Sequence, residues 1–132
     1  MSGPLTRVVN FSKLKTLNKM QLSDALKSIE TWHRETSLPA VLLHCESGLI
    51  NSVYDGRFFV PSRNIKNLML DEESLVKVRQ ACLSDEKTIS SFHYVSPITG
   101  RIVATEVEFE TIEIDGQRWA ICRMLRISSL LV

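Results

Sequence analysis

Two long β-forming runs meet at Asp115-Gly116, and that junction limits the fold more than any other part of the chain. Ile102 to Ile114 alternates, with Val103, Thr105, Val107, Phe109 and Thr111 on one side and Ala104, Glu106, Glu108 and Glu110 on the other. Asp-Gly between two such runs is a strong signal for a two-residue hairpin turn. The return run, Gln117 to Ile127, is apolar on both sides: Trp119, Ile121, Leu125 and Ile127 against Ala120, Cys122 and Met124. A strand of that kind is central and covered on both faces. The glutamates on one side of the first run repel one another and read as a wet face, not a catalytic pair.

Upstream, the pattern changes period. Leu22, Ala25, Leu26, Ile29, Trp32 and His33 recur at three and four, which places them on one face of a helix. Ser23 or Asp24 is the expected cap, and Ser37 with Pro39 ends the helix. Leu14, Leu17 and Met20 form an earlier turn or carry the helix backward. Ala40 to Cys45 reads as a buried strand, Ser47-Gly48 as a turn, and Leu49 to Tyr54 as the antiparallel return. Asn64 to Met69 suggests a short helical turn. Asp71 looks like the N-cap of a helix over Glu72 to Leu83, with Leu75, Val78 and Cys82 on one face and Glu73 placed to pair with Lys77. Thr88 to Val95 is a further strand.

This order of elements predicts an α+β domain: one antiparallel sheet, helices on one face, and an amphipathic N-terminal helix whose stripe needs its own cover. At 132 residues the chain fits a single domain with a core of its own. The net charge of +1 exerts no global pull toward nucleic acid. No apolar run approaches the roughly 20 residues that cross a bilayer, and Met1 to Asn10 lack a secretory pattern, so membrane insertion is not expected and a cytoplasmic location is. Cys45, Cys82 and Cys122 are odd in number and lack C-x-x-C spacing, which argues against a zinc site and a disulfide framework. With only 5 glycines there is no phosphate-cradling loop.

With these turns, the order resembles the PAS family. Leu38 to Leu43 is similar to that family's approach to its first strand. Glu46-Ser47-Gly48-Leu49-Ile50 resembles its acidic-x-Gly-x-Ile turn, and Arg63 to Leu68 its Gly-x-Asn-Leu-x-Asp-Leu segment. Phe92-His93-Tyr94, Gly100-Arg101, Glu106 to Ile114 and Asp115-Gly116 follow its last three strands. Met124 to Ser128 stands where many members end in Arg-Asp-Ile-Thr. The departures are Cys45 where Asp is common and Arg126 in place of the terminal Asp. The resemblance implies five antiparallel strands in the spatial order 2-1-5-4-3. It divides the chain into a flexible tail (1–10), an N-terminal helical segment (11–37) and a PAS-like core (38–132).

It also implies a sensory or regulatory module that binds a small molecule or a partner and is not an enzyme. Tyr54, Phe58, Ile65, Leu68, Leu75, Val78, Phe92, Tyr94, Phe109 and Met124 are the candidate pocket lining. Arg123, Arg126, His93 or Thr105 are the candidate polar groups. No cofactor is expected. Ser62 to Ile65 resembles the photoactive flavin subclass, but Ile65 stands where the adduct-forming cysteine would be. His33, His44 and His93 all lie outside the segment from Asn64 to Leu83 that would offer a haem ligand. The helix stripe, extended by its leader, predicts a homodimer through Leu14, Leu17, Leu22, Leu26, Ile29 and Trp32. An output domain downstream is compatible with this reading. Two alternatives are the same fold used only for dimerisation or docking, and a cone-shaped α+β binder or enzyme of the steroid-isomerase kind. The early strand pair from Ala40 to Tyr54 favours the PAS arrangement over the cone.

Overall fold

In the computed structural model, residues 17–53, 59–64, 71–95 and 100–129 are described. The elements run β1 (Asn18–Lys19), α1 (Leu22–Thr36), β2 (Ala40–His44), β3 (Leu49–Val53), β4 (Phe59–Asn64), α2 (Glu72–Leu83), β5 (Thr88–Val95), β6 (Ile102–Ile114) and β7 (Gln117–Ser129). All strands belong to one sheet ordered β1-β6-β7-β2-β3-β4, with β5 also paired to β6. The five strands anticipated from sequence therefore lie in the expected order, β3-β2-β7-β6-β5.

Two strands were not anticipated. β1 pairs parallel to β6 through Asn18–Ile112 and Lys19–Glu113, so the sheet is mixed. Leu17 and Met20 thus flank an extended segment, not an added helical turn. β4 pairs antiparallel to β3 with a register shift opposite Ile50 to Ser52. Pro61 hides β4 in the sequence, because proline is tolerated in sheets only at edges and bulges.

The hairpin forms as the sequence dictates. Asp115 and Gly116 both have positive φ (51° and 77°), the geometry of a turn whose twist matches the flanking strands. β7 is central between β6 and β2 and is covered on both faces. Consecutive residues therefore serve different cores. Ala120 and Cys122 join Leu43, Val78, Ala81, Cys82, Phe92, Val107 and Phe109 under α2, here called the inner face. Ile121 joins Leu42, Ala40, Ile112, Ile114, Ala25 and Ile29 under α1, the outer face.

α1 thus lays its stripe on its own sheet, with Ala25 and Ile29 fully buried. Its N-cap is Gln21 without a side-chain cap bond, so neither Ser23 nor Asp24 plays that role. Its C-cap is Ser37, whose left-handed backbone lets its N–H reach the His33 carbonyl at 2.8 Å. Asp71 caps α2 as expected, accepting the Ser74 N–H at 2.7 Å. Lys77, expected to meet Glu73, donates to the Ser91 carbonyl at 2.9 Å and ties α2 to β5.

Candidate functional site

The inner face is where helix and sheet diverge. α2 enters with its capped N-terminus near β5 and leaves with its C-terminus clamped to β7. The clamp is Arg118. Its Nη1 donates to the carbonyls of Cys82 (2.9 Å) and Ser84 (3.2 Å), and its Nη2 meets Asp85 at 2.7 Å. Thr111 adds a bond from its hydroxyl to the Ser84 carbonyl at 2.7 Å. The Arg118 cation and the Thr111 hydroxyl on the last carbonyls satisfy groups that a helix end otherwise leaves open.

Toward the other end of α2 a cavity of about 370 Å³ opens between helix and sheet. Asp71, Glu73, Ser74 and Lys77 line it from the helix side, Ser91, Phe92 and His93 from β5, and Ala104 and Thr105 from β6. Its size suits a small ligand. The wall mixes two carboxylates, an ammonium, an imidazole and three hydroxyls with one buried ring, Phe92. Asp71 already accepts the Ser74 N–H, which holds its carboxyl below the ordinary range; Lys77 and His93 act in the same direction. Thr105 donates to the Arg126 carbonyl at 3.1 Å, which leaves its oxygen free to accept. A second cavity, of about 500 Å³, lies by the hairpin tip against Lys19, Met20, Gln21, Asp24, Glu113, Asp115 and Gly116. Among its described residues Met20 is the single apolar side chain, a poor wall for holding a ligand.

The structure divides the residues expected from sequence. Tyr54, Phe58, Ile65 and Leu68 lie outside the described residues, as does Leu14. Phe92 and Phe109 meet at 6.2 Å between ring centroids and, with Val78, fill the inner core. Leu75 is buried on α2. Tyr94 and Met124 meet at the margin, with the phenol 3.9 Å from the Met124 sulfur. Burial raises the Tyr94 phenol above its ordinary value. Of the proposed polar groups, His93 and Thr105 line the cavity and the two arginines do not.

Arg123 is a correction. β7 turns it to the outer face, where Nη1 meets Glu110 (2.8 Å) and Glu108 (3.2 Å) and Nη2 donates to Ser28 of α1 at 3.0 Å. Those glutamates are accordingly not a wet face but half-covered partners of one guanidinium beneath a helix. Arg126 stands opposite Glu106. A bulge between Glu106 and Val107 explains a second difference. It takes up Leu125 and brings Ile127 opposite Thr105, off the side it would share with Trp119 by simple alternation.

The helix-stripe residues are also largely occupied within the chain. Ile29 and Leu17 are buried, Met20 packs against the outer core, and Leu26 and Trp32 are partly covered. The Trp32 indole N–H donates to the Met124 carbonyl at 3.2 Å. Leu22 is 42% exposed. The histidines of the turns are engaged locally. His44 contacts the Ser47 hydroxyl at 2.7 Å and the Gln117 side-chain oxygen at 3.0 Å, and stacks edgewise on Trp119. His33 contacts the Leu38 carbonyl at 3.3 Å.

Sequence reasoning missed the polar wall, Asp71, Glu73, Ser74, Lys77 and Ser91, because it searched for apolar linings. The available signal was the polar start of α2 facing a strand that carries Ser91 and His93. Among the described residues there is no group of three or more side chains suited to hold a metal ion. No described helix is long and apolar enough to cross a membrane.

No family model and no curated protein sequence matches the chain. Solved structures do. A PAS domain of an HTR-like protein from Haloarcula marismortui is 17% identical, with a TM-score of 0.53 over 83% of this chain and 94% of that one. A PAS domain from a two-component sensor histidine kinase is 15% identical, with a TM-score of 0.55 over 83% of this chain and 100% of that one. At such identities the likeness speaks for architecture alone: this chain has a PAS-like fold.

Proposed function

We propose that the chain is a cytoplasmic sensory or regulatory domain that takes a small polar molecule in the cavity between α2 and β5 and performs no chemistry of its own. The carrying observation is the cavity itself: about 370 Å³, with charges of both signs, hydroxyls and one aromatic wall. Such a wall suits a ligand that carries both an acid and a base, or a short polar acid held by Lys77 and His93. One similar structure is a PAS domain of a sensor histidine kinase, which supports a sensory reading. Three free cysteines suit a reducing compartment.

Pairing of two copies through α1 belongs to the same proposal. The exposed Leu22 and the half-covered Leu26 and Trp32 support it. The burial of Ile29 limits the surface to that outer edge.

Native mass spectrometry of freshly purified protein tests both parts. The expected result is a dimeric mass carrying a small adduct, with the adduct lost when Thr105→Phe fills the cavity from the inner face of β6. A bare mass, joined with no thermal shift from zwitterions or small organic acids, would overturn the ligand reading.

A further inference from the structure

We propose that Cys45 and Cys82 form an oxidisable thiol pair that a peroxide-class oxidant closes to a disulfide, stapling the β2–β3 turn to the last turn of α2. The two cysteines are 37 residues apart by their numbers, and one residue gathers them. The Cys45 N–H donates to the Arg118 carbonyl at 3.1 Å, and the Arg118 guanidinium donates to the Cys82 carbonyl at 2.9 Å. Cys82 belongs to the inner core and Cys45 packs against it, close enough for each thiol to shift the other's titration. Cys82 is buried and Cys45 half-buried, so a small oxidant reaches the pair past Cys45. Cys122 lies in the same cluster, buried on a central strand with its thiol directed to the Ala120 carbonyl.

The pair is chemically unequal. Cys45 and Arg118 lower the Cys82 pKa against the opposing effect of burial. Cys82, with burial, raises the Cys45 pKa. Burial raises Cys122 well above the ordinary value, which keeps it a thiol. Thiolate is the reactive form, and the Arg118 guanidinium held on the Cys82 carbonyl favours Cys82 as the attacking sulfur and Cys45 as the resolving one.

The steps balance. The Cys82 thiolate attacks one oxygen of hydrogen peroxide; an S–O bond forms, the O–O bond breaks and hydroxide leaves. The sulfur is oxidised by two electrons and the peroxide reduced. That hydroxide takes the proton of Cys45. The Cys45 thiolate then attacks the Cys82 sulfur; the S–S bond forms, the S–O bond breaks, and the second hydroxide leaves as water with the proton that Cys82 first released. Two thiols and one peroxide give one disulfide and two waters. α2 also carries Asp71, Ser74 and Lys77 of the cavity, so the staple acts on the element that shapes that wall. The inference holds whether or not the cavity takes a ligand.

The test is peptide mapping under non-reducing conditions, after the intact chain is treated with a small excess of hydrogen peroxide at neutral pH. The expected product is an intramolecular Cys45–Cys82 link, missing two hydrogens and reversed by dithiothreitol, with slowed amide exchange at the end of α2. Cys45→Ser should instead trap Cys82 as sulfenic acid, captured by dimedone. Linkage through Cys122, linkage between chains, or an unlinked wild-type protein whose cysteines stay reduced or run on to sulfinic acid would each overturn the proposal. Mapping of the wild type needs no variant to fold.

Discussion

Arg123 reaches across the outer face of the sheet to Glu110 at 2.8 Å, and the same guanidinium holds Glu108 and Ser28. One cation thereby joins β7, β6 and α1. Its removal leaves two neighbouring carboxylates half-covered and unmatched. Arg123→Ala should destabilise by about 1–3 kcal/mol, below the range for fully buried pairs because some water reaches the site. Adding Glu108→Gln and Glu110→Gln should recover much of the loss. Urea unfolding midpoints of Arg123→Ala, of the Glu108→Gln and Glu110→Gln double variant and of the triple variant check this; an additive triple variant would show that the charges do not act as a unit.

The α1 stripe separates stability from assembly. Ile29→Ala should cost about 2–5 kcal/mol, because a fully buried isoleucine leaves a cavity against Leu42 and Ile121. Leu22→Glu, on the exposed edge, should leave thermal stability nearly unchanged and lower the sedimenting mass of a dimer. A parent that sediments as a monomer at high micromolar concentration would remove the pairing proposal.

Acid should loosen one end of α2 first. The bond from the Ser74 N–H holds the Asp71 carboxyl below its ordinary value of 3.8. A pKa lower in the folded state than in the unfolded chain means that the cap stabilises above the unfolded value and is lost as pH falls through the folded one. Protection of the Ser74 amide, measured against its intrinsic exchange rate, should therefore fall from about pH 4 downward. In Asp71→Asn, which caps without titrating, that acid step should vanish.

Hydrogen exchange should be slowest in β2 and in β7 between Trp119 and Arg123. These segments pair with each other at the centre of the sheet, with cover on both faces. β4, an edge strand, should exchange orders of magnitude faster. Fast exchange at Ile121 and Cys122 would contradict the central position of β7.

What could be read from sequence was whatever depends on neighbours in the chain. Asp115-Gly116, the Asp71 cap and the two-sided apolar pattern of β7 each carry their own geometry, and each is present as expected. The strand order followed from the resemblance to a family. Long-range choices were not legible. Alternation shows that Glu108 and Glu110 share a side, but not that a helix 80 residues upstream supplies the lid, or that Arg123 neutralises them. The bulge at Leu125 has no local marker, so the side taken by Ile127 was misread. The rest of the cavity's polar wall escaped because it draws on residues that, taken singly, belong on a helix surface and an edge strand.

Met124 faces two ways. Its side chain touches Tyr94 under α2, its carbonyl accepts the Trp32 indole of α1, and its amide donates to Pro39 at the foot of β2. A single peptide thus spans the thickness of the sheet. A tilt of the Met124 peptide that turns the carbonyl on which the indole rests also carries the root of the side chain packed against Tyr94. The sheet is therefore not an insulating partition at this residue but a pivot, and the N-terminal helix stands on its far arm.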